Sequence, residues 1–308
     1  MDETMAIRFK LGTRGSPLAL TQANMVRDAL CAAHGWAPDE IDLVVIRTTG
    51  DRVQDRALAE IGGKALWTKE LDRALLAREI DAAVHSMKDV ETIRPAEIRI
   101  AAMLPRADVR DRLIGADSVA ELPRGAVVGT SSPRRRAQLL RLRPDLKVVL
   151  FRGNVDTRLA KLAAGEADAT LLAAAGLDRL GRHGVGRAIP TDEMLPAPAQ
   201  GAVGIEVLAS HDEAMVAVAA IDDPATSACV LTERALLAAL GADCHSPVAA
   251  LAALSGEMLT LRAELIAEDG SLHVDGTGEG TDGALIAAEL AADLLARAPS
   301  SVRSLFAP

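Results

Sequence analysis

An α/β fold of two similar halves followed by a small α+β region is predicted by three features of the sequence. Short apolar runs alternate with helix-period segments, a strand leading into a Ser-Pro helix start occurs twice, and the C-terminal part places two strand-like runs around an Asp-Gly turn. At 308 residues the chain exceeds one ordinary core, so two or three cores are expected. The boundaries read as 1–104 with 199–219 for a discontinuous first domain, 105–198 for a second and 220–308 for a third.

IRFKLGT reads as a buried strand, and Ser16-Pro17 as a helix start with cap and first-turn residue in preferred places. Ala19, Ala23, Val26, Leu30 and Ala33 recur at spacings of four and three, the stripe of an amphipathic helix that Gly35 ends. IDLVVIRTTG gives a second strand, and the polar stretch from Gly50 to Gly63 reads as a mobile loop before the helix in WTKELDRALLARE. DAAVHS is a short strand, followed by a connection rich in charge and proline. Around Ala107 to Asp111 a second series begins: AVVGTSS, a helix from Pro133, KVVLF, a helix from Asn154, then ATLLAAA. Thr130 and Ser132-Pro133 echo Thr13 and Ser16-Pro17. LPAPAQGAVGIEVL would return the chain to the first domain, making a two-stranded hinge. Helices from about Pro224 to Leu240 lead to GADCHSPV, then come two strands in MLTLRAELIAEDGSLHV and a last helix from about Gly283 to Arg297.

Composition excludes several classes. Aromatic residues are only 2% and the formal net charge is -9, which argues against a stacking platform for single strands and against a duplex-binding surface. No run of about 18 uncharged apolar residues appears and MDETMAIRFK lacks the apolar core of a signal peptide, so no membrane partner and a cytoplasmic location are expected. Cys31, Cys229 and Cys244 match neither a zinc pattern nor a disulfide framework, and no metal is expected.

Strand ends that run into capped helices are anion sites, because unpaired N–H groups and the positive dipole end point at the ligand. Here such junctions carry arginine: Arg14 beside Ser16, Arg134 and Arg135 after Ser131 and Ser132, and Arg152, Gly153 and Asn154 before a helix bearing Arg158. Guanidinium forks suit carboxylates. A solvated helix face is the ordinary explanation for any single arginine, and it is the clustering that points to a ligand with several carboxylates. Arg136, Arg141 and Arg143 lie farther along and read as surface. Lys88 and Asp89 follow a short strand, where α/β sheets place their crevices, so Asp89 is either a stabiliser of positive charge or half of a surface Lys-Asp pair. His85 reads as a satisfied histidine. Cys31 and Cys229 fall in helices as small hydrophobes. Cys244 sits in a turn, where its thiol either faces a ligand or is inert. Gly62-Gly63-Lys64 fails the Walker pattern, because Leu58 and Ala65 stand where Gly and Ser or Thr are needed.

TRGSPLAL at 13–20, GGKALWTKEL at 62–71, HSMKD at 85–89, GTSSPRRRAQL at 129–139, RGNVDTRLAKL at 152–162, LPAPAQGAVGIE at 195–206 and the GADC loop at 241–244, in this order, resemble the porphobilinogen deaminase family. The resemblance covers nearly the whole chain. It implies two domains like type II periplasmic binding proteins plus the small third domain. It also implies an enzyme, hydroxymethylbilane synthase, that joins four porphobilinogen molecules head to tail and releases ammonia. The chain would grow on a dipyrromethane primer held by Cys244 through a thioether, and hydrolysis would free linear hydroxymethylbilane.

By the same resemblance Asp89 is catalytic, assisting loss of ammonia, stabilising the resulting cation and helping remove a proton. Lys88, Asp89, Thr130, Ser131, Ser132, Arg134, Arg135, Gly153, Arg158 and Gln200 would hold the cofactor, and Arg14, Ser16, Lys64, Arg152 and Gly176 the substrate. The protein would be a monomer whose product passes to uroporphyrinogen-III synthase. Glu60, Trp67, Glu91 and His245-Ser246 depart from the usual pattern, and Glu60 weakens Lys64 as a site residue. The competing reading is a noncatalytic two-lobed binding protein for a polycarboxylate, which would need no loop cysteine.

Overall fold

The computed structural model describes residues 7–47 and 68–306. β1 (Phe9–Arg14) runs into α1 (Pro17–His34), whose start is fixed by the Ser16 hydroxyl accepting from the Ala19 N–H at 3.3 Å. Gly35 ends the helix in a left-handed conformation, φ 68°, that costs glycine little. Ala23, Val26 and Leu30 of the expected stripe are buried, but Ala33 is exposed and Gln22 is buried in addition. β2 (Ile41–Ile46), α2 (Lys69–Leu76), β3 (Ala82–Ser86) and β4 (Ile98–Met103) follow. The second series is β5 (Asp111–Ile114), β6 (Val127–Gly129), α3 (Pro133–Leu142), β7 (Lys147–Val149), α4 (Val155–Ala163), β8 (Ala169–Ala173), α5 (Ala174–Arg179) and β9 (Arg187–Ala188). β10 (Val203–Leu208), α6 (Asp212–Ala219) and α7 (Pro224–Ala239) come next. β11 (Val248–Ser255), β12 (Met258–Ile266), β13 (His273–Gly280), α8 (Gly283–Arg297) and α9 (Ser300–Arg303) complete the described chain.

The strand orders are β2-β1-β3-β10-β4 and β7-β6-β8-β5-β9. In each, the first three strands are parallel, and the fourth, β10 or β5, is antiparallel to its neighbour β3 or β8. The two sheets therefore share one topology, and the short echo between Thr13-Ser16 and Thr130-Ser132 marks a repeat of a whole domain. The capped helices α1 and α3 follow equivalent strands, β1 and β6. These are the two similar α/β domains of the expected class, with the C-terminal sheet as the α+β third. The outgoing and returning chain run side by side, with Leu104 N–H bonded to Val203 O at 3.0 Å and Ala107 N–H to Gly201 O at 3.2 Å.

The third sheet has the order β11-β12-β13 and is antiparallel throughout. The sequence reading had two strands here. β11, VAALAALS, was missed because alanine is a poor strand former, and only its eight-residue pairing with β12 makes it one. β4 and β5 were also missed, inside what read as connections.

Two compact units result: the described residues up to Arg106 with Ala202–Ser227, and Ala107–Gly201 with Ala228 onward. In the second unit the β5–β9 sheet and the C-terminal sheet have separate apolar cores. Polar contacts link them: Gln138 Nε2 donates to Glu264 Oε2 at 3.1 Å, and Arg141 pairs with Glu264 at 2.8 Å, so Arg141 is not the solvated residue it read as. Leu171, at 0% exposure in β8, is the test of the middle core. Leu171→Ala is expected to cost about 2–5 kcal/mol in urea unfolding, from lost transfer energy plus the cavity left behind.

Candidate functional site

At the C-terminal ends of β1 and β3 the first unit opens a crevice of about 430 Å³, counting the solvent it faces, lined by Arg14, Ser16, Gln22, Ser86 and Asp89 among others. Asp89 closes a single 3-10 turn, Met87–Asp89, directly after β3. Met87 at 1% and Val90 at 6% exposure are packed inward, leaving Lys88 and Asp89 between them half-buried. Met87 sits so close to β10 that a Cβ on Gly204 would lie 2.1 Å from its sulfur, so this position needs glycine. Among the described residues nothing donates a hydrogen bond to the Asp89 carboxylate, whereas Gln22 and Ser86 beside it satisfy each other at 2.7 and 3.1 Å. The crevice thus combines a guanidinium, Arg14, with a carboxylate that accepts no hydrogen bond among the described residues.

In the second unit the arginines converge on one buried acid. Asp111, 2% exposed at the start of β5, receives Arg134 at 2.6 Å and Arg135 at 2.7 Å through its two oxygens, and Gln200 Nε2 at 2.8 Å. Burial alone would raise its pKa, but the charges of Arg134 and Arg135 override it and hold the carboxyl well below the usual range. Burial pulls Arg134 down, with Asp111 opposing, and a guanidinium that starts above 12 remains charged. Arg134 also donates to Gln138 and Leu195 O, and Arg135 to Leu171 O. Even so, among the described residues Nε of both Arg134 and Arg135 and Nη1 of Arg152 lack a hydrogen-bond partner. Buried donors left this way are costly unless a ligand meets them.

The surrounding loops are fixed by side-chain caps. Ser132 Oγ caps α3 by accepting from Arg135 N–H at 3.4 Å, and Thr130 Oγ1 accepts from Ser132 N–H at 3.2 Å. Arg158 reaches back to Gly153 O at 3.0 Å and Ser131 Oγ at 3.3 Å. Gly153 has φ 112° and a Cβ there would meet Thr157 at 2.6 Å, so only glycine fits that turn. Cys244 is exposed in a turn tied by Asp243 Oδ1 accepting from His245 N–H at 2.8 Å and by Ser246 Oγ accepting from Asp243 N–H at 3.1 Å. Cys229 is buried and Cys31 half-buried in helices.

Of the expected residues, the first unit gathers Arg14, Ser16 and Asp89 in one crevice, and the second unit places Thr130, Ser131, Ser132, Arg134, Arg135, Gly153 and Arg158 at the starts of α3 and α4. Gln200 is 0% exposed and lies beneath the arginines on Asp111, and Gly176 is buried within α5. Lys64, the 50–63 loop, Glu60 and Trp67 lie outside the described residues. His85 is buried with Nε2 3.2 Å from Glu206, but among the described residues that nitrogen makes no well-aligned hydrogen bond, so the expected satisfied histidine is not found. Sequence reasoning missed Asp111, whose local rise in charge read as a domain boundary. It also missed Gln22, and Arg179, whose guanidinium is lowered by burial and, among the described residues, lacks a partner at Nε. No group of His, Cys, Asp and Glu that could hold a metal is found among the described residues.

Beneath the crevice Glu206, 0% exposed, is drawn up by burial but held at about 2 by His85 and Arg94. Because this folded value lies below the ordinary 4.5, the stability it contributes is complete above pH 4.5 and is lost as pH falls toward 2. Asp111 acts with the same sign; Asp72, raised by burial against the pull of Arg94, acts with the opposite sign. Urea midpoints are therefore expected to fall steeply between pH 4.5 and 2, and Glu206→Gln is expected to flatten that fall; an unchanged slope would remove Glu206 from the acid transition.

Comparison with known proteins agrees along the chain. The family model described as porphobilinogen deaminase, dipyromethane cofactor binding domain, matches residues 9–216, and that of the porphobilinogen deaminase C-terminal domain matches 227–296. A porphobilinogen deaminase of Sphingopyxis alaskensis is 58% identical over 305 residues, 97% of this chain and 96% of the relative. That of Paracoccus denitrificans is 54% identical, covering 95% of each, and that of Nitrobacter hamburgensis 49%, covering 96% of each.

Proposed function

The chain belongs to the porphobilinogen deaminase family, and on that premise we propose how its own residues carry the reaction. The activity is that of a transferase, hydroxymethylbilane synthase, acting on porphobilinogen in porphyrin biosynthesis with a dipyrromethane cofactor. The buried nitrogens of Arg134, Arg135 and Arg152 that lack a hydrogen-bond partner among the described residues fit the acidic side chains of such a group. When bound, the cofactor supplies the primer pyrrole on which the product is built.

Cys244 holds it through a thioether, and the exposure of that sulfur in a fixed turn supports this assignment. Lys88, Thr130, Ser131, Ser132, Arg134, Arg135, Gly153 and Arg158 bind its carboxylates through side chains and the α3 and α4 N-termini, while Gln200 acts from below through Asp111. Arg14, Ser16, Lys64, Arg152 and Gly176 serve the incoming substrate. Asp89 would accept a hydrogen bond from the substrate's pyrrole N–H, stabilise the cation left when the C–N bond breaks and ammonia departs, and help take up the ring proton lost after the new C–C bond forms. The single observation that carries this is the half-buried Asp89 carboxylate, which among the described residues has no hydrogen-bond donor, sharing a crevice with Arg14. Three domains, 1–104 with 199–219, 105–198 and 220–308, are supported by three separate sheets. A monomer in the cytoplasm that hands its product to uroporphyrinogen-III synthase completes the reading, and no single described helix is long and apolar enough to cross a membrane.

Two measurements test it. The denatured chain is expected to weigh two pyrrole units more than its polypeptide, and Cys244→Ser to lack that increment; an unmodified mass from an active preparation would reject the tethered primer. Asp89→Ala is expected to fold with its mass increment and lose nearly all turnover, and substantial residual activity would take Asp89 out of the reaction.

A further inference from the structure

We infer that Arg94 is a positioning residue for the turn that carries Asp89, and that it acts through Glu91. The inference rests on the reading of Asp89 as the reacting carboxylate. Arg94, with 9% of its side chain exposed, directs its fork at three acids, one on β10, one on α2 and one in the chain just after the 3-10 turn. Nε and Nη2 hold Glu206 of β10 bidentately, each at 2.8 Å, and Nη2 also reaches Asp72 of α2 at 2.5 Å. Nη1 donates to Glu91 Oε2 at 2.7 Å and to Thr68 Oγ1 at 3.3 Å. Thr68 in turn donates to the same Glu91 oxygen at 2.6 Å.

Glu206 is completely buried in a central strand and Asp72 lies on the helix packed behind it, so the guanidinium is fixed by rigid parts of the fold. Its free end then grips Glu91, two residues beyond Asp89. The near side of the turn is held by packing, with Met87 wedged against Gly204 and Val90 buried. The far side is held by this ionic clamp. A planar, bidentate fork locks direction as well as distance, which a flexible ammonium would not do. An error of about 1 Å in the placement of a reacting group costs on the order of a hundredfold in rate, so a clamp at this position acts on turnover before it acts on binding.

The experiment is steady-state kinetics on purified full-length chain with porphobilinogen, with the folded fraction measured by near-ultraviolet circular dichroism and the primer increment by intact mass. Arg94→Gln is expected to lower kcat per folded, primer-bearing molecule about tenfold or more with KM within twofold, and Arg94→Lys to recover only part of it. Glu91→Gln leaves the Arg94–Glu206–Asp72 contacts in place, so it is the variant that decides if Arg94→Gln does not fold; its kcat is expected to fall severalfold at unchanged KM. Full kcat per folded molecule in Glu91→Gln, or activity that only tracks the folded fraction, would overturn the inference. If Asp89→Ala abolishes turnover while Glu91→Gln does not alter it, only the clamp falls; if Asp89→Ala is active, the reading beneath it falls too.

Discussion

The second unit is organised around one carboxylate. Asp111 holds two guanidinium groups inside the protein where neither would otherwise be tolerated. Removing one partner of such a buried set leaves an uncompensated charge and typically costs about 3–5 kcal/mol. The geometry explains why the arrangement is worth keeping despite weak net stability. One acid shared between two arginines leaves the set cationic, and Nε of each still lacks a partner among the described residues. The result is fixed positive charge at the α3 start, aligned with the helix dipole, in a place that an acidic oligopyrrole would fill.

The first unit treats its carboxylates the opposite way. Glu206 in β10 and Asp72 on α2 are buried and paired with Arg94, while Asp89, in the turn after β3, accepts no hydrogen bond among the described residues. Acids of one unit thus differ because their surroundings differ: Glu206 and Asp72 are tied to Arg94, and Asp89 is not. The shared strand order of the two sheets makes this contrast possible, since both present loop residues at the ends of their parallel strands.

Much of this was legible. The helix caps at Ser16, Ser132 and Asn154 follow from local chemistry and all three accept the expected backbone N–H. The last helix, read as about Gly283 to Arg297, forms over those residues, with the Asp282 side chain accepting from the Ala284 and Leu285 N–H groups. What failed to show was non-local. β11 is an alanine-rich strand only because β12 lies beside it. Asp111 looked like one more charge in a boundary, and nothing in sequence says that Arg134, Arg135 and Gln200, between 23 and 89 residues away, converge on it. Arg141 read as surface because its partner, Glu264, belongs to another sheet.

The central claim is that Asp111 fixes the arginines for an acidic ligand instead of neutralising them. It is tested most directly by intact-mass measurement of the primer on folded Asp111→Asn chain. The account predicts that the fraction bearing two pyrrole units drops about tenfold or more while the polypeptide stays folded, since amide oxygen holds only one guanidinium well. Full loading in the folded variant would show that the arginines find the ligand without their buried anchor, and would contradict it.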